Sequence, residues 1–232
     1  MLNSRSYTKE LLDGDQIPEK DLFLNLKELD TINRLLGGYN ISLSALNKIV
    51  QDGATYKLVD IGCGGGDTLK HIYRWTVKSK KKITLVGIDI KPVCIDYATA
   101  NTKALPIHYI CDDYRQLYNH TDKVDIIHAC LFCHHLDEAQ LVELVKFALK
   151  HKAILVINDL ERNPLAYYSI KWLTELFSNS YLVKNDAPLS VARGFKKDEW
   201  NDILLKAGAI NFTVKNKWAF RHEIIVYGNK SE

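Results

Sequence analysis

The chain has 232 residues, 47% hydrophobic and 25% charged, ordinary proportions for a globular protein and enough length for one large domain or a domain with a cap. A net charge of +3, from 31 basic and 28 acidic residues, neither demands nor excludes an anionic partner. No run approaches the roughly 18 apolar residues of a membrane span. The N-terminal MLNSRSYTKELLDGDQ carries no apolar signal core, so a cytoplasmic protein is expected.

In chain order, LFLNLKELDTINRLL (22–36) places Leu22, Leu26, Leu29 and Leu36 on one helical face and stops at Gly37-Gly38. A second short helix is expected over 42–50, giving an N-terminal helical cap over 1–50. From residue 56 strands and helices alternate: YKLVDI then TLKHIYRW, ITLVGID then PVCIDYATAN, IHYIC, VDIIHAC then DEAQLVELVKFAL, and AILVIND. Pro92 opens the second of these helices, and Asp137 is placed to cap the third. Strands that are apolar throughout and separated by helices predict an α/β fold, a doubly wound Rossmann-like sheet covered on both faces. The ending differs. KDEWNDILLKAG reads as a helix closed by Gly208, and NFTVKNKW and EIIVYG follow closely enough to form a terminal antiparallel pair. The core domain is therefore expected over 51–232, with a long insertion at 161–195. The basic run KSKKK (78–82) lacks interleaved aromatics and reads as a solvated helix-to-strand turn, so nucleic acid is not the expected partner. The five cysteines, Cys63, Cys94, Cys111, Cys130 and Cys133, sit mostly in apolar runs and read as reduced packing residues.

The stretch LVDIGCGGGD (58–67) is the strongest signal. Four of the five residues 62–66 are glycine, directly after the first strand. In open parallel sheets ligands bind beyond the carboxyl ends of the strands, and glycines there let backbone approach a ligand closely. The spacing is not G-x-G-x-x-G, because Asp67 stands where the last glycine is required, and no G-K-[ST] follows to make a phosphate loop.

The observed Asp60-x-Gly62-x-Gly64-x-Gly66 resembles the first motif of the class I S-adenosylmethionine-dependent methyltransferases. The resemblance implies a cofactor without phosphates, S-adenosylmethionine, whose amino acid end lies against Asp60, Gly62, Cys63, Gly64 and Gly66. It implies further that Asp89, with Ile90, holds the ribose at the end of the second strand. Asp113 fits the family's acid four residues before a leucine and would accept from the adenine amine. Asp112 is the alternative, and Tyr114 follows. DIIHACLFCHHLDE resembles the family's stretch after the fourth strand and would set Ala129, Cys130 and Leu131 along the methionine side. The flanking INRLLGGY and NDAPLSVARGFKKDEWNDILLKAG resemble a subgroup of bacterial small-molecule methyltransferases.

Cys130-Leu131-Phe132-Cys133-His134 also matches the c-type haem attachment pattern, but that chemistry occurs in exported proteins. A zinc site from Cys130, Cys133, His134 and His135 lacks a second ligand pair, and adjacent histidines rarely converge on one ion, so no metal is expected. A phenol or enol acceptor must lose a proton, and His134 and His135, beside the expected methyl position, are the candidate catalytic bases. His128 is expected to be buried. The place after the fourth strand holds CLFCHH rather than an [Asp/Asn]-Pro-Pro-aromatic stretch, which turns weight from bases and amides toward a small-molecule acceptor. In the 161–195 insertion Tyr167, Tyr168 and Trp172, with Phe177 and Tyr181, are expected to build an apolar acceptor site. Arg193 joins them as a substrate-binding candidate, with Arg162 and Arg221 as further cations for an acidic group or for ion pairs. The expected function is methylation of a small lipophilic or phenolic metabolite, most simply at oxygen. The alternatives are an RNA or protein methyltransferase and a cofactor-binding module without turnover.

Overall fold

The apolar runs become the strands of a seven-stranded sheet in the computed structural model, which describes residues 2–14 and 16–228. The chain runs α1 (Glu19–Leu35), α2 (Gly38–Ile49), β1 (Thr55–Ile61), α3 (Asp67–Ser79), β2 (Lys82–Asp89), α4 (Pro92–Asn101), β3 (Ile107–Cys111), α5 (Leu117–His120) and β4 (Ile126–Cys130). It continues through α6 (Glu138–Lys150), β5 (Ile154–Leu160), α7 (Pro164–Phe177), α8 (Tyr181–Arg193), α9 (Lys197–Lys206), β6 (Phe212–Lys217) and β7 (Arg221–Val226). The strand order is β3-β2-β1-β4-β5-β7-β6. β1 to β5 pair in parallel, and β7 runs antiparallel between β5 and β6. The order reverses between β1 and β4, so the loops after these two strands flank a crevice at the carboxyl edge.

Strand side chains alternate between the two faces. Val59, Ile61, Ile127, Leu155 and Ile157 pack with α6 and α9, where Trp200 is fully buried. Leu58, Leu85, Ile126 and Val156 pack with α2 and α3. A third cluster seats α1 on α4 through Leu22, Leu26 and Cys94. At the start of α6 Asp137 accepts from the Gln140 N–H at 2.8 Å, the cap read from the sequence, and Gln140 in turn accepts from the Asp137 N–H.

Two expectations shift. α2 begins at Gly38 rather than residue 42, because Gly37 takes a left-handed conformation (φ 68°) that turns the chain at once into the next helix. Tyr39 is then buried and stacks on His71 with ring centroids 4.0 Å apart. The 161–195 insertion is a helical pair, α7 and α8, and Ser178 and Asn179 between them tie to Glu28 of α1. α2 belongs to the same core as the sheet. Among the described residues no helix is long and apolar enough to cross a membrane. In the basic run, Lys81 is tied to the Val50 carbonyl at 2.9 Å and to Asp52 at 2.7 Å.

Candidate active site

At the carboxyl edge lies a cavity of about 890 Å³, walled by the loops after β1, β2, β3 and β4 and by α1. The volume is within the range of small-molecule sites. The glycine loop forms one side. Gly62 has φ 62°, and a Cβ there would stand 2.1 Å from Phe132 Cδ2, so only glycine lets the loop turn against that ring. Gly64 donates its N–H to Asp89 Oδ2 at 2.9 Å, and the Lys91 N–H donates to Asp89 Oδ1 at 3.0 Å. One carboxylate thus joins the first and second strand ends. Burial pushes the Asp89 carboxyl up, and these two N–H groups pull it back.

Of the residues singled out in the sequence, Gly62, Cys63, Gly64, Asp89, Ile90, Asp112, Asp113, Tyr114, Cys130, Leu131 and His135 stand in the cavity wall. Asp113 caps the turn at 114–116 and pairs with Arg115, while Asp112 lies 2.7 Å from His120. Leu131 holds φ 54°, a left-handed conformation uncommon for a branched side chain and of the kind found where a backbone is shaped for a ligand. Phe132 packs edge-on against Tyr114, which packs edge-on against Phe147, giving the wall an aromatic side.

Other expected site residues lie elsewhere. Gly66 and Ala129 stand behind the wall. Asp60 turns inward: its Oδ1 is 2.6 Å from His128 Nδ1, whose Nε2 is 2.9 Å from Ser42 Oγ. His128 is buried, as expected. Tyr168 and Trp172 lie 60% and 66% exposed on the outer face of α7, and with Tyr167 they are absent from the wall. The insertion's aromatics point away from the cavity because the inner side of α7 is formed by its small residues, Ala166 and Thr174. We therefore expect Trp172→Ser to leave the affinity of the cavity for its ligands within about twofold, as most exposed substitutions do. A tenfold loss in calorimetry would bring α7 into the site.

Arg193 is a clamp. Its guanidinium donates to the carbonyls of Thr8, His134 and His135 and to Asp13 Oδ2, all at 3.0 to 3.1 Å. Arg162 pairs with Glu199 and donates to the Gly194 carbonyl. Arg221 donates to Asn158 at 3.4 Å.

The sequence does not name the N-terminal residues that reach the site. Leu12, Asp13, Asn33 and Tyr39 are in the wall. The segment 5–13 is a strap across the cavity end: Arg5 donates to the carbonyls of His134 and Leu136, and the Leu11 and Leu12 N–H groups donate to Asp186. Asp13 Oδ1 lies 2.9 Å from His135 Nδ1, and His135 with Arg193 holds the Asp13 carboxyl below its ordinary range against the upward push of burial. His134 is buried, with Nδ1 2.7 Å from Asp159 Oδ1. Glu10 sits between the Nε2 atoms of both histidines at 3.7 and 3.8 Å, and burial pushes its carboxyl up to about 7. The quoted INRLLGGY was the available signal for Asn33 and Tyr39. Nothing in the local pattern marks Glu10, Asp13 or Asp159.

The comparisons agree with this geometry. Residues 58–151 match the family model described as a methyltransferase domain. This is the family that the glycine loop resembles, and the matched stretch runs from within β1 to the end of α6, the elements that carry most of the wall. Among solved structures, the chain is similar to the plantazolicin methyltransferase BpumL in complex with a triazolic desmethylPZN analog and SAH. The two are 16% identical over 90% of this chain and 91% of that one, with a TM-score of 0.66. It is similar also to human N-acetylserotonin methyltransferase in complex with SAM, 17% identical over 92% of this chain and 57% of that one, with a TM-score of 0.63. The methyltransferase domain of citrinin polyketide synthase is 15% identical, over 82% of this chain and 51% of that one, with a TM-score of 0.58. At these identities the likeness is one of fold. No curated protein sequence matches the chain.

Proposed function

We propose that the protein is an S-adenosylmethionine-dependent methyltransferase acting on a small lipophilic or phenolic metabolite, at oxygen. The observation that carries this reading is the junction of the glycine loop with Asp89, made by the 2.9 Å bond from the Gly64 N–H, in the wall of a cavity of about 890 Å³. The residues present fit the cofactor. Asp89 offers a buried carboxylate suited to ribose hydroxyls, and the aromatic wall of Tyr114, Phe132 and Phe147 suits an adenine. Gly38 is pressed between Asn33 and Arg221, so that a Cβ would stand 1.8 Å from Asn33 Oδ1 and 2.9 Å from Arg221 Cζ. Asn33 Oδ1 and Arg221 Nε are both buried without a hydrogen-bond partner among the described residues. Asn33 stands in the cavity wall, and its unmatched acceptor suits a ligand with an ammonium.

S-adenosylmethionine supplies a methyl group already activated on a sulfonium, so the chain has to position the acceptor and take its proton. The strap does the first. Leu12, Leu26, Leu29 and Leu136 line its side of the cavity and exclude water from an apolar acceptor. His135 does the second. Asp13 engages its Nδ1, which leaves Nε2 to receive the acceptor's proton. His134, buried behind it against Asp159, is a positioning residue. Relatives solved with SAM or SAH bound, including a methyltransferase of N-acetylserotonin, support the same reading.

The test is transfer of labelled methyl to a panel of phenols and lipid quinols. Label is expected in a phenolic oxygen. His135→Ala is expected to lower kcat on the order of 100-fold, with cofactor affinity unchanged. Label entering RNA or protein alone, or an unaltered kcat in His135→Ala, would overturn the assignment.

A further inference from the structure

The two adjacent histidines share an arrangement that base catalysis does not require. Each has its Nδ1 held by a carboxylate: Asp159 at 2.7 Å for His134 and Asp13 at 2.9 Å for His135. Each Nε2 is therefore the nitrogen left to face outward, and both face Glu10. His134 Nε2 lies 3.7 Å from Glu10 Oε1, and His135 Nε2 lies 3.8 Å from Glu10 Oε2. These separations are too long for hydrogen bonds. Among the described residues neither Nε2 makes one. Two ligands, each about 2.1 Å from one tetrahedral ion, stand about 3.4 Å apart. The observed gaps exceed that by a few tenths of an ångström, and the ligand atoms of all three residues lie within 4.8 Å of one another. An imidazole whose other nitrogen is fixed by a carboxylate is the usual form of a metal-ligating histidine.

Charge points the same way. Glu10, Asp13 and Asp159 bring three carboxylates to the two imidazoles, against the guanidinium of Arg193. Arg5 and Asp186, which also face this cluster, offset one another. Glu10 and Asp159 are buried carboxylates, and a cation beside them would offset charge that burial disfavours.

We propose that Glu10, His134 and His135 bind one divalent transition-metal ion of the zinc class, which clips the N-terminal strap to the loop between β4 and α6. Two imidazoles and a carboxylate are an accepted zinc donor set, with a further position left for water or a ligand. His135 stands in the cavity wall, so that position opens toward the acceptor side. The ion and the acceptor's proton compete for the same Nε2 of His135, so the base role in methyl transfer belongs to the metal-free protein.

The experiment is calorimetric titration of the metal-stripped protein with Zn²⁺ alone, together with limited trypsin digestion at the exposed Lys9 of the strap. The expected result is one ion bound with a micromolar or tighter Kd, and slower cleavage after Lys9 when it is bound. Glu10→Gln and His135→Gln should each weaken binding about tenfold or more, while Cys111→Ser, at the exposed thiol, leaves it unchanged. Absence of binding, equal affinity in Glu10→Gln and His135→Gln, loss in Cys111→Ser, or unaltered cleavage at Lys9 would overturn the proposal. None of these readouts depends on methyl transfer, so the proposal and the enzymatic assignment fail separately.

Discussion

Gly62→Ala is expected to reduce both S-adenosylmethionine binding and methyl transfer on the order of 100-fold while leaving the sheet folded. Two effects act together. An alanine at φ 62° enters the left-handed region at a cost of about 1–2 kcal/mol. Its Cβ would also stand 2.1 Å from Phe132 Cδ2, a distance that no pair of carbons sustains. Either the glycine loop or Phe132 must move. Phe132 is packed on Tyr114, so its displacement passes along the aromatic wall, and displacement of the loop would disturb the Gly64 N–H to Asp89 bond. An error of an ångström in the placement of a reacting group is enough for a loss of this size. Calorimetry and initial rates check it, with circular dichroism to confirm the fold. Wild-type affinity in Gly62→Ala would mean that the loop does not bear on the ligand.

The second large effect is on stability. His134→Ala is expected to destabilise the protein by about 3–5 kcal/mol, because it removes the partner of a buried charge. Asp159 is 2% exposed and accepts from three donors: the His134 ring, the His134 N–H and the Leu160 N–H. Burial alone would raise its pKa, yet the carboxyl is held below its ordinary range by His134. Without the ring, the carboxylate either stays charged with a donor missing or takes up a proton, and both outcomes cost stability. For a chain of this length the melting temperature should fall on the order of 10 °C. Adding Asp159→Asn should restore part of the loss, since the amide leaves no buried charge to compensate. A strictly additive double variant would show that the two residues are not coupled.

The parts of the fold legible in the sequence were those set by local pattern. VDIGCGGGD, VGID and VDIIHAC are apolar strands ending in turn or acidic residues, and their ends converge in space because a parallel sheet brings every strand's carboxyl end to one edge. Gly64 and Asp89 therefore stand in one cavity wall, together with Asp113, which the family resemblance singles out. The rest depended on direction and distance. Trp172 and Tyr168 share a helix with Ala166, and composition does not say which side faces in; the small residues won the inner face. The resemblance sets Asp60 against the cofactor, but its side chain turns into the sheet toward His128, a buried imidazole. Glu10 and Asp13 reach His134 and His135 across more than 120 positions of sequence, and no periodicity encodes such a contact. Arg193 read as a substrate cation, yet its donors close the strap over the site.

The most direct measurement is calorimetric titration of the wild-type protein and Asp89→Ala with S-adenosylmethionine and S-adenosylhomocysteine. Stoichiometric binding of at least the product is expected, weakened about tenfold or more when the Asp89 carboxylate is removed. No heat from either compound, or equal affinities in the two proteins, would contradict the account.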